Sequence, residues 1–270
     1  MDQDKEIKES DLAVSYVARK IKGTEWQEET MLIVREKALT IYVNTKELAT
    51  IVCSPGQIRH MAVGFLCSEG ILSEPQDLKS LRVDEEKGLV YAEIEGYEKS
   101  DAGKAFLRRY ITPCCGRGRA AFYYLADALL CKPVESDLKI PAETVRILAK
   151  KLEENSHLFN KTGGVHSAAL AEGSEMILFQ EDVGRHNTLD KILGQCFLEK
   201  ISLKDKIIVF SGRVSSEILL KTAKMGVPIL LSRGAPTDLS LGLGKDLGIT
   251  VIGFARGDSF TIYTHPERIF

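Results

Sequence analysis

The chain has 270 residues, with 36 Lys and Arg against 38 Asp and Glu and a formal net charge of −2. That balance gives no support to nucleic acid or a membrane surface as the main partner. Hydrophobic residues make up 44% and charged residues 27%, as in a globular protein long enough to bury a core without disulfide staples. The opening residues, Met1-Asp2-Gln3-Asp4-Lys5-Glu6, lack the apolar stretch of a secretory signal, and no run approaches the roughly 18 apolar residues of a membrane helix. A cytoplasmic protein with reduced thiols is expected. The six cysteines, Cys53, Cys67, Cys114, Cys115, Cys131 and Cys196, show no disulfide-framework spacing.

In chain order, residues 1–27 are charge-rich and read as an N-terminal arm or edge segment. Residues 39–43 and 49–52 flank Asn44-Thr45-Lys46-Glu47 as a hairpin. Ser54-Pro55 has the chemistry of a helix start, with Ile58, Met61, Ala62, Phe65 and Leu66 on the apolar face that follows. Residues 81–83 and 89–92 read as a second hairpin, and 120–130 as a short helix. A division is expected within 132–140. Beyond it come a charged amphipathic helix over 141–154, strands at 165–170 and 176–179, and a helix over 187–198. Strand 206–210, helix 215–225, strand 227–231, helix 237–247 and strand 249–254 complete the pattern. This alternation calls for parallel strands with right-handed crossovers. The expected architecture is α/β: a smaller α+β part over 28–137 and an α/β domain over 138–270.

In an open α/β sheet, ligands sit outside the carboxyl ends of the strands. The segments expected there are Ser211-Gly212-Arg213, Arg233-Gly234, Ala255-Arg256-Gly257-Asp258-Ser259 and Gly184-Arg185-His186. Each holds a glycine and an arginine. Glycine admits close backbone approach, helix N-termini favour anions, and arginine grips phosphate in a bidentate fork. Together they suggest a pocket for a ligand with several phosphates. The competing reading is ordinary turns whose arginines pair with acids such as Glu217 or Asp238. No P-loop or G-x-G-x-x-G spacing is present. His166 and His186 are candidates for ligand hydrogen bonds or acid–base chemistry, or for satisfied structural roles.

Thr112-Pro113-Cys114-Cys115-Gly116-Arg117-Gly118-Arg119 is the second chemical feature. Proline and two glycines mark a loop, and nearby arginines and a helix start would favour the reactive thiolate. Adjacent cysteines seldom form a stable disulfide, so one carrier thiol suits the loop better than a redox pair. A zinc deaminase site needs H-x-E followed by P-C-x-x-C, but position 117 is Arg117 and His265-Pro266-Glu267 lies at the far end of the chain. No metal site is expected.

Several stretches together resemble the formate dehydrogenase accessory protein family, sulfur carriers that act on the molybdenum cofactor. They are the run 62–71, Gly163-Gly164-Val165-His166, Glu181-Asp182-Val183-Gly184-Arg185-His186-Asn187, Asp190-Lys191, Ser211-Gly212-Arg213, Ser216-Glu217 and Ala235-Pro236-Thr237. The resemblance runs from about residue 28 to the C-terminus. It implies a sulfurtransferase of carrier type. A cysteine desulfurase would load a cysteine as a persulfide. The sulfur would then pass to transiently bound bis(molybdopterin guanine dinucleotide), for formate dehydrogenase. The second domain would be three-layered α/β/α with a mixed sheet similar to cytidine deaminases, without zinc. The family's cofactor stretch maps onto Phe254, Ala255, Arg256, Gly257, Asp258 and Ser259. Many members carry C-G-x-C, whereas this chain has Cys115-Gly116-Arg117-Gly118 with Cys114 before it. Aligning on Cys-Gly makes Cys115 the carrier, with Cys114 the other candidate. Expected partners are the desulfurase, formate dehydrogenase and, as one option, a second copy in a homodimer. Two other readings remain open: a cofactor-binding chaperone without sulfur transfer, and a nucleotide hydrolase on a deaminase-like scaffold.

Overall fold

A computed structural model describes residues 9–97 and 131–270. The expected helix over 120–130 and both Cys114 and Cys115 lie outside the described residues. A short helical turn, α1 (Glu9–Leu12), leads into an antiparallel ribbon of β1 (Ala13–Lys22) and β2 (Glu25–Val34). The ribbon takes the place of the expected arm, and the boundary at residue 27 falls inside β2. Its strands were hard to read because hydrophobic side chains alternate with charges on neither face consistently.

The first hairpin is as expected. Strands β3 (Lys37–Val43) and β4 (Lys46–Cys53) are joined by Asn44 and Thr45, with φ of 46° and 70°. Two successive left-handed residues make the turn whose twist matches a two-residue hairpin. Strands β5 (Leu78–Asp84) and β6 (Leu89–Ile94) form the second hairpin, and β6 pairs parallel to β3, giving the order β4-β3-β6-β5.

Helix α2 (Ile58–Ser68) lies against this sheet. It starts later than Ser54-Pro55 suggests, behind Gln57 at φ 53°. Ser54 is engaged elsewhere: its N–H donates to Asp182 Oδ2 (2.9 Å), and its Oγ accepts from Val183 N–H (3.0 Å). A tertiary contact thus overrides the local cap signal. α2 is buried on its polar side as well, through His60, Gly64 and Ser68, the mark of a helix enclosed between layers.

The second half is a six-stranded mixed sheet with helices on both faces. Helix α3 (Ala142–Asn155) and the short α4 (His157–Thr162) precede β7 (His166–Glu172) and β8 (Glu175–Asp182). Then follow α5 (Arg185–Glu199), β9 (Ile207–Phe210), α6 (Ser216–Lys224), β10 (Ile229–Ser232), α7 (Asp238–Asp246), β11 (Thr250–Arg256) and β12 (Ser259–Ile262). The sheet order is β12-β11-β10-β9-β7-β8. Strands β9, β10 and β11 are parallel, as expected from their alternation with helices. The antiparallel edge strand β12 was not expected. Alternate residues divide the core: Ile207, Val209, Ile229 and Leu231 face α3, whereas Ile208, Phe210 and Leu230 face the layer of α5 and α6.

The halves meet where α2 crosses α5. A Cβ on Gly64 would sit 1.7 Å from the Asp190 carbonyl oxygen, and one on Gly194 would sit 1.9 Å from that of His60. The helices therefore touch backbone to backbone, a distance only glycine permits. Polar contacts frame the crossing. Lys221 Nζ donates to Asp190 Oδ1 (2.6 Å), and Lys224 Nζ donates to the Ser68 carbonyl (2.9 Å) at the carboxyl end of α2, where a cation also suits the helix dipole. Burial pushes the Asp190 carboxyl above its usual range, against the pull of Lys221.

The helix crossing can be tested by adding one methyl group at a time. Gly64→Ala and Gly194→Ala should each lower unfolding free energy by about 1–3 kcal/mol or more, as overpacking does. Gly242→Ala, in α7 with nothing within 4 Å of its Cβ position, should be neutral or stabilising by up to about 1 kcal/mol. Urea denaturation of the three variants measures the contrast.

Candidate functional site

Strand directions decide which loops share an edge. β8 is antiparallel to β7, and β7 is antiparallel to β9, so β8 runs with β9, β10 and β11. The carboxyl ends of these four strands, together with the start of β7, form one rim. In sheet order it holds the β11–β12 turn (Phe254 to Ser259), Arg233 after β10, Ser211 to Arg213 after β9, His166 at the start of β7, and Gly184 to His186 after β8. Neighbouring strands lie about 4.8 Å apart, so the five strands from β11 to β8 span about 19 Å. All four glycine–arginine segments therefore lie along one edge.

Most of the glycines on the rim serve packing. A Cβ on Gly212 would meet the Phe210 ring at 2.9 Å and His166 Nδ1 at 3.3 Å. A Cβ on Gly234 would meet the Gly212 carbonyl oxygen at 2.7 Å, and one on Gly184 would meet the Asn187 amide at 2.6 Å. Ser232 Oγ donates to the Gly212 carbonyl (2.6 Å) and accepts from Gly234 N–H (2.9 Å). Ser211 is spent on β7: its N–H donates to the Ser167 carbonyl and its Oγ accepts from Ser167 N–H, both at 2.9 Å. Ala255 is buried. These residues shape the rim, and their hydrogen-bonding groups face protein.

The charged and aromatic members are the ones presented outward. Arg213, Phe254, Arg256, Gly257, Asp258 and Ser259 are exposed, while Arg185, His186 and Arg233 are partly buried. Arg256 Nε donates to the Arg233 carbonyl (3.1 Å), tying two rim segments together. Arg233 Nη2 lies 3.3 Å from Glu153 Oε2, and His186 Nε2 lies 3.3 Å from Glu217 Oε2. One rim arginine is thus matched by an acid, as the ordinary-turn reading requires, but by Glu153, while Glu217 pairs with His186 and not with an arginine. Phe254 is 47% exposed and sits at φ 54°, where a bulge separates β11 from β12. A bulky residue in the left-handed region is uncommon, and such strain gathers at functional sites.

The end of the rim near β7 and β8 has a distinct electrostatic character. Burial and the Arg185 guanidinium hold the His166 imidazole below its usual value, against an opposing pull from Asp182. Arg185 Nε is buried with no hydrogen-bond partner among the described residues. His166 was legible from Gly163-Gly164-Val165-His166, but the Arg185 charge that acts on it comes from a segment 19 positions away and left no local signal.

The specific run from Glu181 to Lys191 is largely architecture. Glu181 accepts from Leu158 N–H (3.1 Å) and Phe159 N–H (3.0 Å), closing the start of α4. Asp182 accepts from Gly184 N–H (2.8 Å) and Asn187 Nδ2 (2.7 Å), and lies 2.8 Å from Lys191 Nζ. Asn187 Nδ2 also donates to the Val52 carbonyl in β4 (2.9 Å). Only Arg185 and His186 of this run are left to face the rim.

Three of the described cysteines have thiols poorly suited to attack. Burial pushes Cys53, Cys67 and Cys196 each up to about 12. Among the described residues no group of three or more His, Cys, Asp and Glu could hold a metal ion, and no helix is long and apolar enough to cross a membrane.

Known proteins resemble this chain over most of its length. The FdhD/NarQ family matches residues 34–270. The chain is 45% identical over 240 residues to the sulfur carrier protein FdhD of Bacillus pumilus, covering 88% of this chain and 90% of the relative. It is 44% identical over 260 residues to the protein of that name in Listeria innocua, covering 96% and 99%. A crystal structure described as that of a proposed formate dehydrogenase accessory protein from Desulfotalea psychrophila superimposes with a TM-score of 0.78. That likeness covers 96% of this chain and all of the other at 23% identity, and so speaks for the fold. The chain belongs to the FdhD/NarQ family.

Proposed function

We propose that this protein is a sulfur carrier required for formate dehydrogenase. A cysteine desulfurase passes sulfane sulfur to the thiolate of Cys115, or of Cys114, forming a persulfide. The terminal sulfur atom then moves to bis(molybdopterin guanine dinucleotide), the transiently bound substrate of the transfer. The observation that carries this reading is the convergence of Arg185, Arg213, Arg233 and Arg256 on one sheet rim, in a chain whose relatives are named sulfur carriers. Several guanidinium groups in a row suit a ligand with several phosphates. Phe254 offers an exposed ring for a flat base beside them.

The choice of carrier follows from thiol chemistry. A cysteine pushed up to about 12, as Cys53, Cys67 and Cys196 are, is almost wholly protonated at neutral pH, and the thiolate is the reactive form. The Cys114–Cys115 pair, beside Arg117 and Arg119 in the sequence, has the composition of a reactive loop. The role fits a cytoplasmic protein, where thiols stay reduced.

Loading should be visible by mass. Incubation with a cysteine desulfurase and cysteine should add about 32 Da, one sulfur atom, in a form removed by reductant. The adduct should map to Cys115 or Cys114, with Cys53, Cys67 and Cys196 alkylated last. Cys115→Ala together with Cys114→Ala should abolish both loading and formate dehydrogenase maturation. Unchanged maturation in that variant would instead identify a cofactor-binding chaperone.

Binding should separate cleanly from loading. Calorimetry with GDP in the presence of a chelator should show metal-independent binding. Arg256→Ala should weaken it roughly tenfold to a hundredfold, as loss of a charge-assisted hydrogen bond does, while persulfide loading continues. No heat at millimolar GDP would remove the rim as the nucleotide site.

A further inference from the structure

Arg233 stands between two other rim arginines. Arg213 follows β9 on one side of it and Arg256 ends β11 on the other. Both backbone groups of Arg233 are committed. Its N–H donates to the Phe210 carbonyl (3.0 Å), and its carbonyl accepts from Arg256 Nε (3.1 Å). The base of the side chain is therefore fixed, and the guanidinium is the part that can answer a ligand. Its ionic partner, Glu153, comes from α3 and not from any rim segment. The contact is loose. Nη2 and Oε2 lie 3.3 Å apart, beyond the roughly 2.7–2.9 Å of a charge-assisted hydrogen bond. The Glu153 side chain is 57% exposed, against 25% for Arg233. An ion pair this exposed adds little to the stability of a fold, so releasing Glu153 costs the scaffold little.

We infer that Glu153 is a built-in competitor for the anion that the rim binds, and that it sets the affinity through Arg233. The inference rests on the reading of the rim as a phosphate-binding site. Before a ligand arrives, the carboxylate stands on the guanidinium in the place of a phosphate. A terminal phosphate carries more charge and three acceptor oxygens. It can fill the planar fork with two parallel bonds and meet Arg213 or Arg256 as well. Phosphate therefore displaces the carboxylate, which turns outward into water. The displaced charge stays close to the bound phosphate, and like charges repel. Displacement and repulsion both weaken binding, which suits a protein that takes up a cofactor only to pass it on. A purely supporting acid would act with the opposite sign: it would orient Arg233 for the ligand, and its loss would weaken binding. A similar contact recurs at His186, whose Nε2 lies 3.3 Å from Glu217 Oε2. The charge of a histidine varies with pH whereas that of an arginine does not, so the Glu153–Arg233 pair is the cleaner case.

The test is calorimetry with GDP on the full chain at fixed ionic strength. Glu153→Gln keeps the shape and removes the charge. It should bind GDP about two- to fivefold more tightly than the unchanged protein, the range that an exposed ion pair spans. Glu154→Gln is the control for losing one negative charge. That carboxylate is 59% exposed and lies 3.7 Å from Lys150 Nζ, so its removal should leave the affinity unchanged. An unaltered urea midpoint in Glu153→Gln should accompany the gain. GDP binding that is equal or weaker in Glu153→Gln would overturn the inference while leaving the rim as the nucleotide site. Equal tightening by Glu154→Gln would overturn it too, since the effect would then be one of net charge. Absence of binding in the unchanged protein and in Glu153→Gln alike would remove the nucleotide reading of the rim, and the inference with it.

Discussion

A carboxylate with no exposed surface holds the two halves of this protein together. Asp182 is fully buried at the end of β8. It receives the Ser54 N–H from the first half, and the Gly184 N–H, the Asn187 amide and the Lys191 ammonium from the second. Removing a charge from water costs several kcal/mol unless its lone pairs are filled and its charge matched. Both conditions are met here, and Lys191, itself almost wholly buried, additionally donates to the Glu181 carbonyl. The site depends on this clamp. It fixes the start of α5, and thereby where Arg185 and His186 stand on the rim.

The clamp explains why a sequence run with the appearance of a binding motif contains so few residues able to touch a ligand. Glu181, Asp182, Asn187, Asp190 and Lys191 have polar groups committed to other parts of the fold. The same division holds along the rest of the rim. Small residues bring loops into backbone contact, and the arginines and Phe254 project from the scaffold so made. A rim built this way is stiff where it is glycine-lined and charged where it meets solvent, which suits recognition of a polyanion without large rearrangement.

Several features were legible because local chemistry alone determines them. The hairpin around Asn44-Thr45-Lys46-Glu47, the parallel strands β9 to β11, and the helices that begin at about Ser215 and Thr237 belong to this group. The arginine segments were also found, since each follows a strand. What was hidden depends on distant partners. Ser54 reads as a helix cap but is claimed by a carboxylate 128 positions away. Gly64 and Gly194 look like weak points in helices until the helices are crossed. Gly212 and Gly234 suggest ligand approach, and serve each other. The β1–β2 ribbon escaped because its exposed faces carry no pattern of burial to read.

The most direct measurement is a double-mutant cycle on Asp182 and Lys191, read by chemical denaturation. Asp182→Asn and Lys191→Met should each cost about 3–5 kcal/mol, because each leaves a buried group without its partner. The double variant should be destabilised by clearly less than the sum, with a coupling of about 1 kcal/mol or more. If either single change costs less than about 1 kcal/mol, or the two effects simply add, the buried pair is not what holds the halves and the rim in place.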